Sequence, residues 1–473
     1  MTRRPAAVVA VLAGLVLLAL SGRYGYHRDE LYFLQAGRHL AWGYPDQPPL
    51  TPLLARAMSA LAPASVVVLR LPSTLSAAAM VLLAGVMAQD LGARRCGQWL
   101  AAGATALCGF VLATGHLLST ATTALLGSTV VCFLAVRLLL GGDRRLWLLL
   151  GLVAGLAMQA NVFPAFLLAA LGVALLLVGP RDVLRTRWPW LAALVSAAVV
   201  APYLVWQARH GWPQLDVARS IASGGSGSSV SRPLFLPMEI LQVGPPLLVL
   251  WLPGLVRLLR DNRLRCLAVA FLVLQVVFLA TGGKPYYVGG FYPLLLAAGA
   301  QPFLDWARRP VRAGVVVLVL STPVLLFTLP VLPARSAAVS VAVNPDAGET
   351  IGWPRFVAQV ATAYDDLPAG SAIVTGNYGE AGAVDRYGPE RGLPHAYSGH
   401  NGYGLWRAPP AQVPALVVGM PPALLARTCR DLHQVGVIAS PYGMDNDENG
   451  TRLYACTPRA PWARLWPDLR HLG

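Results

Sequence analysis

Charged side chains are scarce in this chain of 473 residues. Only 12% of its residues are Asp, Glu, Lys or Arg, whereas 56% are hydrophobic. Average soluble domains carry about 25% charged residues, so the composition excludes a disordered chain and argues against an ordinary soluble enzyme. The sequence also lacks a G-x-G-x-x-G fingerprint, a P-loop and a C-x-x-C pair. The class that remains is a polytopic α-helical membrane protein.

Long apolar runs account for the hydrophobic excess. A hydrocarbon core takes about 20 apolar helical residues to cross, and a packed bundle accommodates shorter runs. By this criterion the sequence predicts about eleven transmembrane helices. They cover residues 6–20, 66–89, 98–114, 117–140, 147–159, 162–178, 188–206, 236–256, 264–279, 290–303 and 315–332.

The formal net charge of +15 is concentrated in this apolar part. Residues 1–333 contain 26 Arg and Lys against ten acids, whereas residues 334–473 contain 11 against 12. If Arg3 and Arg4 lie in the cytoplasm, seventeen cations fall on short inner segments and nine on longer outer ones, as the positive-inside rule expects. The charge therefore indicates topology and not a nucleic-acid partner. We expect a multi-pass plasma-membrane protein with a cytoplasmic N-terminus and an extracytoplasmic C-terminal region.

The C-terminal region changes character and predicts a second domain. We expect a transmembrane domain over residues 1–333 and an extracytoplasmic α/β domain over residues 334–473. Two cysteines, Cys429 and Cys456, lie in the second domain, and an oxidising compartment favours a disulfide between them. A Ser- and Gly-rich loop is predicted at residues 223–231. The predicted strands are 372–375, 415–418, 435–438 and 453–456, and the predicted helices are 353–364 and 422–434.

The first outer segment, residues 21–50, gathers polar residues beside the bilayer. It holds Asp29, Glu30 and Asp46 together with two His, three Arg and five Tyr or Trp. Acids are expensive next to a membrane, and the adjacent Asp29 and Glu30 precede an apolar helical run. An ordinary wet loop with interfacial aromatics is the alternative. We interpret the segment as a site in which a carboxylate acts as general base or binds a cation.

Other predicted outer segments place polar residues on the same side of the membrane. His116 lies at the turn after the third span, Arg209 leaves the seventh, and the sole lysine, Lys284, stands in G-G-K-P-Y-Y with Tyr286 and Tyr287. Lys284 and Arg209 are candidate phosphate partners. Each signal is weak alone, but their shared sidedness predicts a site for a lipid phosphate. Transfer of a sugar from a polyprenyl phosphate needs such cations, a carboxylate for the acceptor hydroxyl and a water-facing domain.

Several motifs then resemble one family along most of the chain. The segment H-R-D-E-L-Y-F with W-G-Y-P-D-Q-P-P-L is similar to the first outer loop of family 39 glycosyltransferases of the GT-C fold. That group includes protein O-mannosyltransferases and aminoarabinose transferases. G-H-L-L-S-T, W-Q-A-R-H-G-W-P-Q-L, G-G-K-P-Y-Y and G-N-Y-G-E-A-G-A are similar to its bacterial members. The resemblance implies a GT-C-like fold and inverting transfer from a polyprenyl-phosphate sugar on the outer side of the membrane.

The resemblance also implies residue roles. Asp29 matches the proposed catalytic base, and Glu30 is its neighbour. We expect Glu30 or Asp46 to assist Asp29 or to hold a cation. Asp46 matches an acidic position that binds a divalent metal in some members; otherwise no cofactor is expected. Gln47 occupies a position that is often a phosphate-contacting lysine, so Lys284, Arg209 and Arg28 are expected to bind the lipid phosphate.

Two departures weaken a metal assignment. Members often have an acid where this chain has Ala124, and Asn-Lys where it has Ala160 and Asn161. A catalytically inactive homologue that serves as a scaffold therefore stays open, as does a transporter or lipid flippase. The expected partners are membrane lipid, a polyprenyl-phosphate-linked sugar donor and an acceptor that is a glycan, protein, lipid or natural product. The sequence does not identify the sugar or the acceptor.

Overall fold

Helices dominate the computed structural model, which describes residues 4–225 and 229–473. Arg3 and residues 226–228 of the predicted Ser- and Gly-rich loop lie outside the described residues. Each of the eleven predicted runs coincides with a helix or with two consecutive helices. The helices that precede residue 334 are α1 (Arg4–Leu20), α2 (Arg28–Ala36), α3 (Leu50–Leu61), α4 (Val66–Leu69), α5 (Leu71–Asp90), α6 (Arg95–Ala106), α7 (Gly109–His116), α8 (Thr120–Leu139), α9 (Leu146–Met158), α10 (Phe163–Val178), α11 (Trp188–Arg209), α12 (Pro213–Ala222), α13 (Phe235–Val243), α14 (Leu248–Arg260), α15 (Arg265–Thr281), α16 (Tyr292–Trp306), α17 (Pro310–Ser321) and α18 (Val324–Thr328).

Fewer helices than eleven have the full length for a membrane crossing. Within the described ranges, four are long and apolar enough: α5, α8, α11 and the stretch Pro310–Thr328 that joins α17 to α18. Two bent pairs raise this number to six: α6 with α7, bent by 58°, and the segment containing α13 with the one containing α14, bent by 87°. Shorter apolar helices fill other predicted runs. The count of eleven crossings therefore stays a prediction.

Close backbone approach holds two of these helices together. Gly254 on α14 and Gly299 on α16 face each other's helix, and a Cβ at Gly299 would lie 1.8 Å from the Leu250 carbonyl oxygen. A Cβ at Gly254 would lie 2.0 Å from the carbonyl oxygen of Leu295. Only glycine permits this contact, which is typical of tightly packed membrane helices.

The C-terminal region contains a five-stranded mixed sheet. Its strand order is β2 (Ala396–Ser398), β1 (Ala372–Thr375), β3 (Ala415–Val418), β5 (Arg452–Pro458) and β4 (Cys429–Val437). The first three strands in this order are parallel, and β5 runs antiparallel to both β3 and β4. The apolar β1 and β3 are buried along their whole length. The elements are α19 (Ala338–Val341), α20 (Trp353–Asp365), β1 (Ala372–Thr375), α21 (Tyr378–Tyr387), β2 (Ala396–Ser398), α22 (Tyr403–Trp406), β3 (Ala415–Val418), α23 (Pro422–Thr428), β4 (Cys429–Val437), β5 (Arg452–Pro458) and α24 (Trp462–Leu469).

One predicted helix of this region is wrong in its second half. The helix over residues 422–434 ends at Thr428, and β4 begins at Cys429. Cys429 forms the predicted disulfide with Cys456 of β5, and the β4–β5 ladder continues through Leu432 and Gln434. The cross-link and the ladder hydrogen bonds thus override the local helical pattern. The short β2 was not predicted.

Helix α2 packs into the C-terminal region. Leu31, Tyr32 and Phe33 of α2 share a hydrophobic core with Trp353 and Val384 of the C-terminal helices. A Cβ at Gly382 of α21 would lie 2.9 Å from the backbone of Leu31, so α2 and α21 touch at a small residue. The predicted boundary between residues 333 and 334 separates two composition classes, but the two regions share a core across it.

The disulfide yields a direct prediction for thiol counting. Of the six cysteines, Cys96, Cys108, Cys132 and Cys266 are free. Alkylation of the denatured, unreduced full-length protein should therefore label four thiols by mass spectrometry, and six after reduction. The Cys429→Ser variant should give five labels under both conditions. Six labels on the unreduced wild-type protein would contradict the pairing.

Candidate active site

The site begins at the capped N-terminus of α2. The His27 ring nitrogen Nδ1 accepts a hydrogen bond from the backbone N–H of Asp29 at 3.2 Å, and the Glu30 carboxylate accepts one from the backbone N–H of His27 at 2.8 Å. This reciprocal capping box fixes where α2 starts. Because successive helical residues are about 100° apart, Asp29 and Glu30 point in different directions.

Glu30 points inward and is fully buried. Its two carboxylate oxygens accept hydrogen bonds from Arg70 Nε at 2.8 Å and Nη2 at 2.7 Å, and Oε1 also accepts one from the Leu118 backbone N–H at 2.9 Å. With the His27 bond, four donors surround this carboxylate. A carboxylate so saturated has no direction left from which to receive an acceptor proton, which favours a positioning role for Glu30.

Arg70 is the buried partner that the sequence analysis missed. Besides Glu30, its guanidinium donates to the carbonyl oxygens of Ser21 at 2.7 Å and Gly25 at 2.6 Å. His116, predicted as a phosphate ligand, is buried with Nε2 3.4 Å from Arg70 Nη1. The available signal was an arginine inside an apolar run, because such a charge requires a buried partner.

Asp29 points away from this buried pair and keeps 37% of its side chain exposed. Its Oδ1 accepts a hydrogen bond from the Tyr378 hydroxyl at 2.8 Å, and its Oδ2 lies 4.0 Å from His27 Nδ1. Burial acts to raise the pKa of Asp29, but His27, Arg28, the Tyr378 hydroxyl and Lys284 together hold that pKa below its ordinary value. The predicted base is therefore an accessible, ionised carboxylate.

Lys284 shares the electrostatic surroundings of Asp29. Burial lowers the pKa of Lys284, while the negative charges of Asp29 and Asp346 oppose that change. Burial raises the pKa of the Tyr286 hydroxyl, and the negative charge of Asp29 raises that pKa further. Tyr287 stacks on Phe163 with ring centroids 5.1 Å apart. The G-G-K-P-Y-Y segment thus supplies one cation whose charge acts on the candidate base, and two tyrosine rings whose centroids lie 5.0 Å apart.

Asp46 has surroundings that differ from those of Glu30 and Asp29, because a tyrosine of α2 is its hydrogen-bond partner. Its Oδ1 accepts a hydrogen bond from the Tyr32 hydroxyl at 2.8 Å, and that hydroxyl accepts one from the Gly402 backbone N–H at 3.1 Å. Burial raises the pKa of Asp46 to about 7 against the opposing effect of the Tyr32 bond, and the charge of Asp29 adds to the increase. Gln47 is buried, and its backbone carbonyl accepts from the Tyr44 N–H at 2.9 Å.

Asp46 has few companion ligands for a divalent metal among the described residues, and the metal stays a prediction. Across residues 4–225 and 229–473, no group of three or more His, Cys, Asp or Glu side chains is arranged to hold a metal ion. Hard cations are held by several oxygen ligands, and the Asp46 carboxylate already accepts the Tyr32 hydroxyl. We therefore assign no step of the chemistry to a metal.

Two other predicted phosphate ligands lie in different settings. Arg28 forms ion pairs with Asp447 and, at 3.7 Å, with Glu349, and its guanidinium lies 5.3 Å from the Tyr378 ring centroid. Its charge is thus engaged by the C-terminal region. Arg209 is exposed at the end of α11, and within the described part of the chain no hydrogen bond or ion pair joins it to Asp29. The charges of Lys284 and Asp29, in contrast, act on each other.

Comparison with known proteins supports the predicted family. Residues 46–206 match the family model described as dolichyl-phosphate-mannose-protein mannosyltransferase. This match confirms, over those residues, the resemblance to family 39 glycosyltransferases of the GT-C fold. No curated protein matches the sequence.

Solved structures define the fold over nearly the whole chain. ArnT from Cupriavidus metallidurans in the apo state matches with a TM-score of 0.61 and 15% identity, covering 95% of this chain and 97% of that one. The same protein bound to undecaprenyl phosphate gives 0.58 and 17%, with the same coverage. The arabinofuranosyltransferase AftD from Mycobacteria gives 0.51 and 16%, covering 96% of this chain and 40% of that one. The chain therefore has a GT-C-like fold and is an integral membrane protein with several apolar helices.

The buried pair yields a prediction that separates structure from chemistry. Glu30→Gln leaves the Arg70 charge buried without a counter-ion, which costs about 3–5 kcal/mol, so the thermal unfolding midpoint in detergent should fall clearly. Glu390→Gln, which removes an exposed partner 4.0 Å from Arg386, should leave the midpoint nearly unchanged. A Glu30→Gln protein with wild-type thermal stability but no activity would instead assign Glu30 to the chemistry.

Proposed function

We propose that this protein is an inverting glycosyltransferase that moves a sugar from a polyprenyl-phosphate donor to an acceptor hydroxyl on the extracytoplasmic side of the membrane. One observation carries the proposal most directly: Asp29 is an accessible, ionised carboxylate that shares its surroundings with the single lysine of the chain. A base and a phosphate-binding cation are the two groups that this reaction needs. The family match and the ArnT-like fold support the same donor class.

The proposed reaction is a single displacement at the anomeric carbon. Asp29 accepts the proton of the acceptor hydroxyl while that oxygen forms a bond to the anomeric carbon. The bond between the anomeric carbon and the phosphate oxygen breaks, and its electron pair stays on the departing polyprenyl phosphate. Lys284 offsets the charge that develops there. Attack from the face opposite the leaving group inverts the configuration.

Other predicted residues act around this centre. Tyr286 and Tyr287 form an aromatic wall on which a sugar or prenyl chain packs, and Gln47 lies next to Asp46 in the same loop. Glu30 and His116, both buried around Arg70, position α2. We do not include Arg28 or Arg209 among the phosphate ligands, because Arg28 is paired with Asp447 and Glu349 and Arg209 is an exposed side chain at the end of α11.

The first experiment identifies the substrates. Mass spectrometry of glycoconjugates from cells with and without the gene should reveal one sugar that disappears from one acceptor class, and a panel of synthetic undecaprenyl-phosphate sugars should then support transfer by the purified protein. A scaffold binds such a donor without turnover. A transporter moves lipid between leaflets of a vesicle without forming a glycoside. Either result would replace the proposal.

Removal of the base is the central prediction. Asp29→Asn keeps the size of the side chain but abolishes its basicity, so transfer should fall by at least about 100-fold while the unfolding midpoint stays near wild type. Asp216→Asn, at an exposed aspartate paired with Arg219 at 2.7 Å, serves as the matched control and should transfer normally. Near-normal transfer by Asp29→Asn would refute the assignment of the base.

Removal of the cation tests the donor side. Lys284→Met keeps the length of the side chain and removes its charge, so the affinity for undecaprenyl phosphate should fall about tenfold or more, because a charged hydrogen bond to phosphate is worth about 1.5–3 kcal/mol. Ligand-induced thermal stabilisation in detergent measures this affinity. Arg219→Met removes an exposed cation and should bind normally. Equal affinity of Lys284→Met and wild type would contradict the phosphate-binding role.

A further inference from the structure

The hydroxyl that contacts the candidate base comes from the far end of the chain. Tyr378 is the first residue of α21, and its hydroxyl donates to Asp29 Oδ1 at 2.8 Å across a separation of 349 residues. Among the residues that the structure describes, Tyr378 is the one whose side-chain hydroxyl donates a hydrogen bond to the Asp29 carboxylate. The contact therefore joins the C-terminal region directly to the proposed chemistry.

The local sequence fixes where Tyr378 begins its helix. Asn377 Oδ1 accepts a hydrogen bond from the Glu380 N–H at 2.9 Å, and Glu380 Oε2 accepts one from the Asn377 N–H at 3.1 Å. This is a second capping box, and it faces the capped start of α2. Gly379 follows immediately, and a Cβ there would lie 2.9 Å from Arg28 Cβ. The motif N-Y-G-E thus sets the tyrosine at the point where the two helix starts meet.

The ring of Tyr378 is held on several sides. Its centroid lies 4.8 Å from that of Tyr32 and 4.6 Å from that of His400, and the Arg28 guanidinium lies 5.3 Å away. Tyr32 is itself buried and bonded to Asp46 and Gly402. A ring clamped in this way directs its hydroxyl with little freedom, which is what a positioning group requires.

We propose that Tyr378 is a positioning residue for the base, so that the C-terminal region completes the active site. Its hydroxyl holds Oδ1 of Asp29 and leaves Oδ2 to accept the proton of the acceptor hydroxyl. This inference rests on the proposed function and extends it: the region after residue 333 is a required part of the catalytic centre and not only a surface for the acceptor.

The polar and charged groups around Asp29 set its pKa, and a change in that pKa reveals the loss of the Tyr378 hydroxyl. The groups that interact with Asp29 come from several elements. They are His27 and Arg28 at the start of α2, Asp46 in the loop that follows α2, Lys284 and Tyr286 in the G-G-K-P-Y-Y segment, and Tyr378 and His400 in the C-terminal region. A hydrogen bond donated to a carboxylate stabilises its ionised form. Without the Tyr378 hydroxyl the pKa of Asp29 rises, so the acidic side of the rate profile moves to higher pH.

Tyr378→Phe in the full-length protein tests the proposal. With the undecaprenyl-phosphate sugar that proves active, kcat for polyprenyl phosphate release should fall about 10- to 100-fold, the donor KM should change little, and the acidic limb of kcat should shift to higher pH. Tyr364→Phe is the matched control, because the Tyr364 hydroxyl donates to the Ser371 carbonyl oxygen at 2.6 Å away from Asp29; it should keep the wild-type kcat and pH profile.

The outcomes separate this inference from the proposed function. A Tyr378→Phe protein with wild-type kcat and pH profile, beside an inactive Asp29→Asn protein, overturns the positioning role alone. A fully active Asp29→Asn protein overturns both. Undecaprenyl phosphate binding and the unfolding midpoint report on folding: a loss of kcat matched by an equal loss of binding-competent protein, with an unshifted pH profile in the remainder, also overturns the inference.

Discussion

The buried ion pair between Arg70 and Glu30 is the interaction on which the rest of the site depends. Both side chains are completely removed from solvent, where an unpaired charge costs several kcal/mol. Arg70 lies at the junction of α4 and α5 and also binds the carbonyl oxygens of Ser21 and Gly25. Glu30 in turn accepts from the Leu118 N–H. One pair therefore ties three segments of the apolar region to the start of α2, and this attachment turns the neighbouring Asp29 outward.

With its membrane side fixed in this way, α2 presents its other side to the C-terminal region. Leu31 meets α21 at Gly382, and two tyrosine hydroxyls reach the two remaining carboxylates of the loop: Tyr378 donates to Asp29, and Tyr32 donates to Asp46. The site is thus built at a contact between two regions of very different composition. A short polar helix accomplishes this because one face packs on apolar helices and the other on a sheet domain, and its N-terminus stays at the boundary.

Sequence reasoning succeeded where the signal is local. The predicted apolar runs coincide with helices, and the β1 and β3 strands follow from short buried apolar runs. The sidedness inferred from the arginines stays a prediction. It failed where distant segments decide the outcome. The partner of Glu30 is 40 residues away and that of Asp29 is 349 residues away, and no periodicity encodes such distances. The end of α23 at Thr428 likewise depends on a ladder and a disulfide to β5.

Three carboxylates in one loop acquire three different roles because their surroundings differ. The Glu30 carboxylate accepts hydrogen bonds from Arg70 and from two backbone N–H groups, so its charge stabilises the fold and does not take part in the proposed reaction. Burial raises the pKa of Asp46 to about 7, so near neutral pH this carboxyl carries less negative charge than a fully ionised one. Of the three, Asp29 alone is both ionised and accessible, and its charge acts on Lys284. The leaving group of the proposed reaction is an anion, and a second ionised carboxylate beside it would repel the charge that develops there. The raised pKa of Asp46 and the burial of Glu30 therefore leave Asp29 as the one accessible and fully ionised carboxylate of this loop.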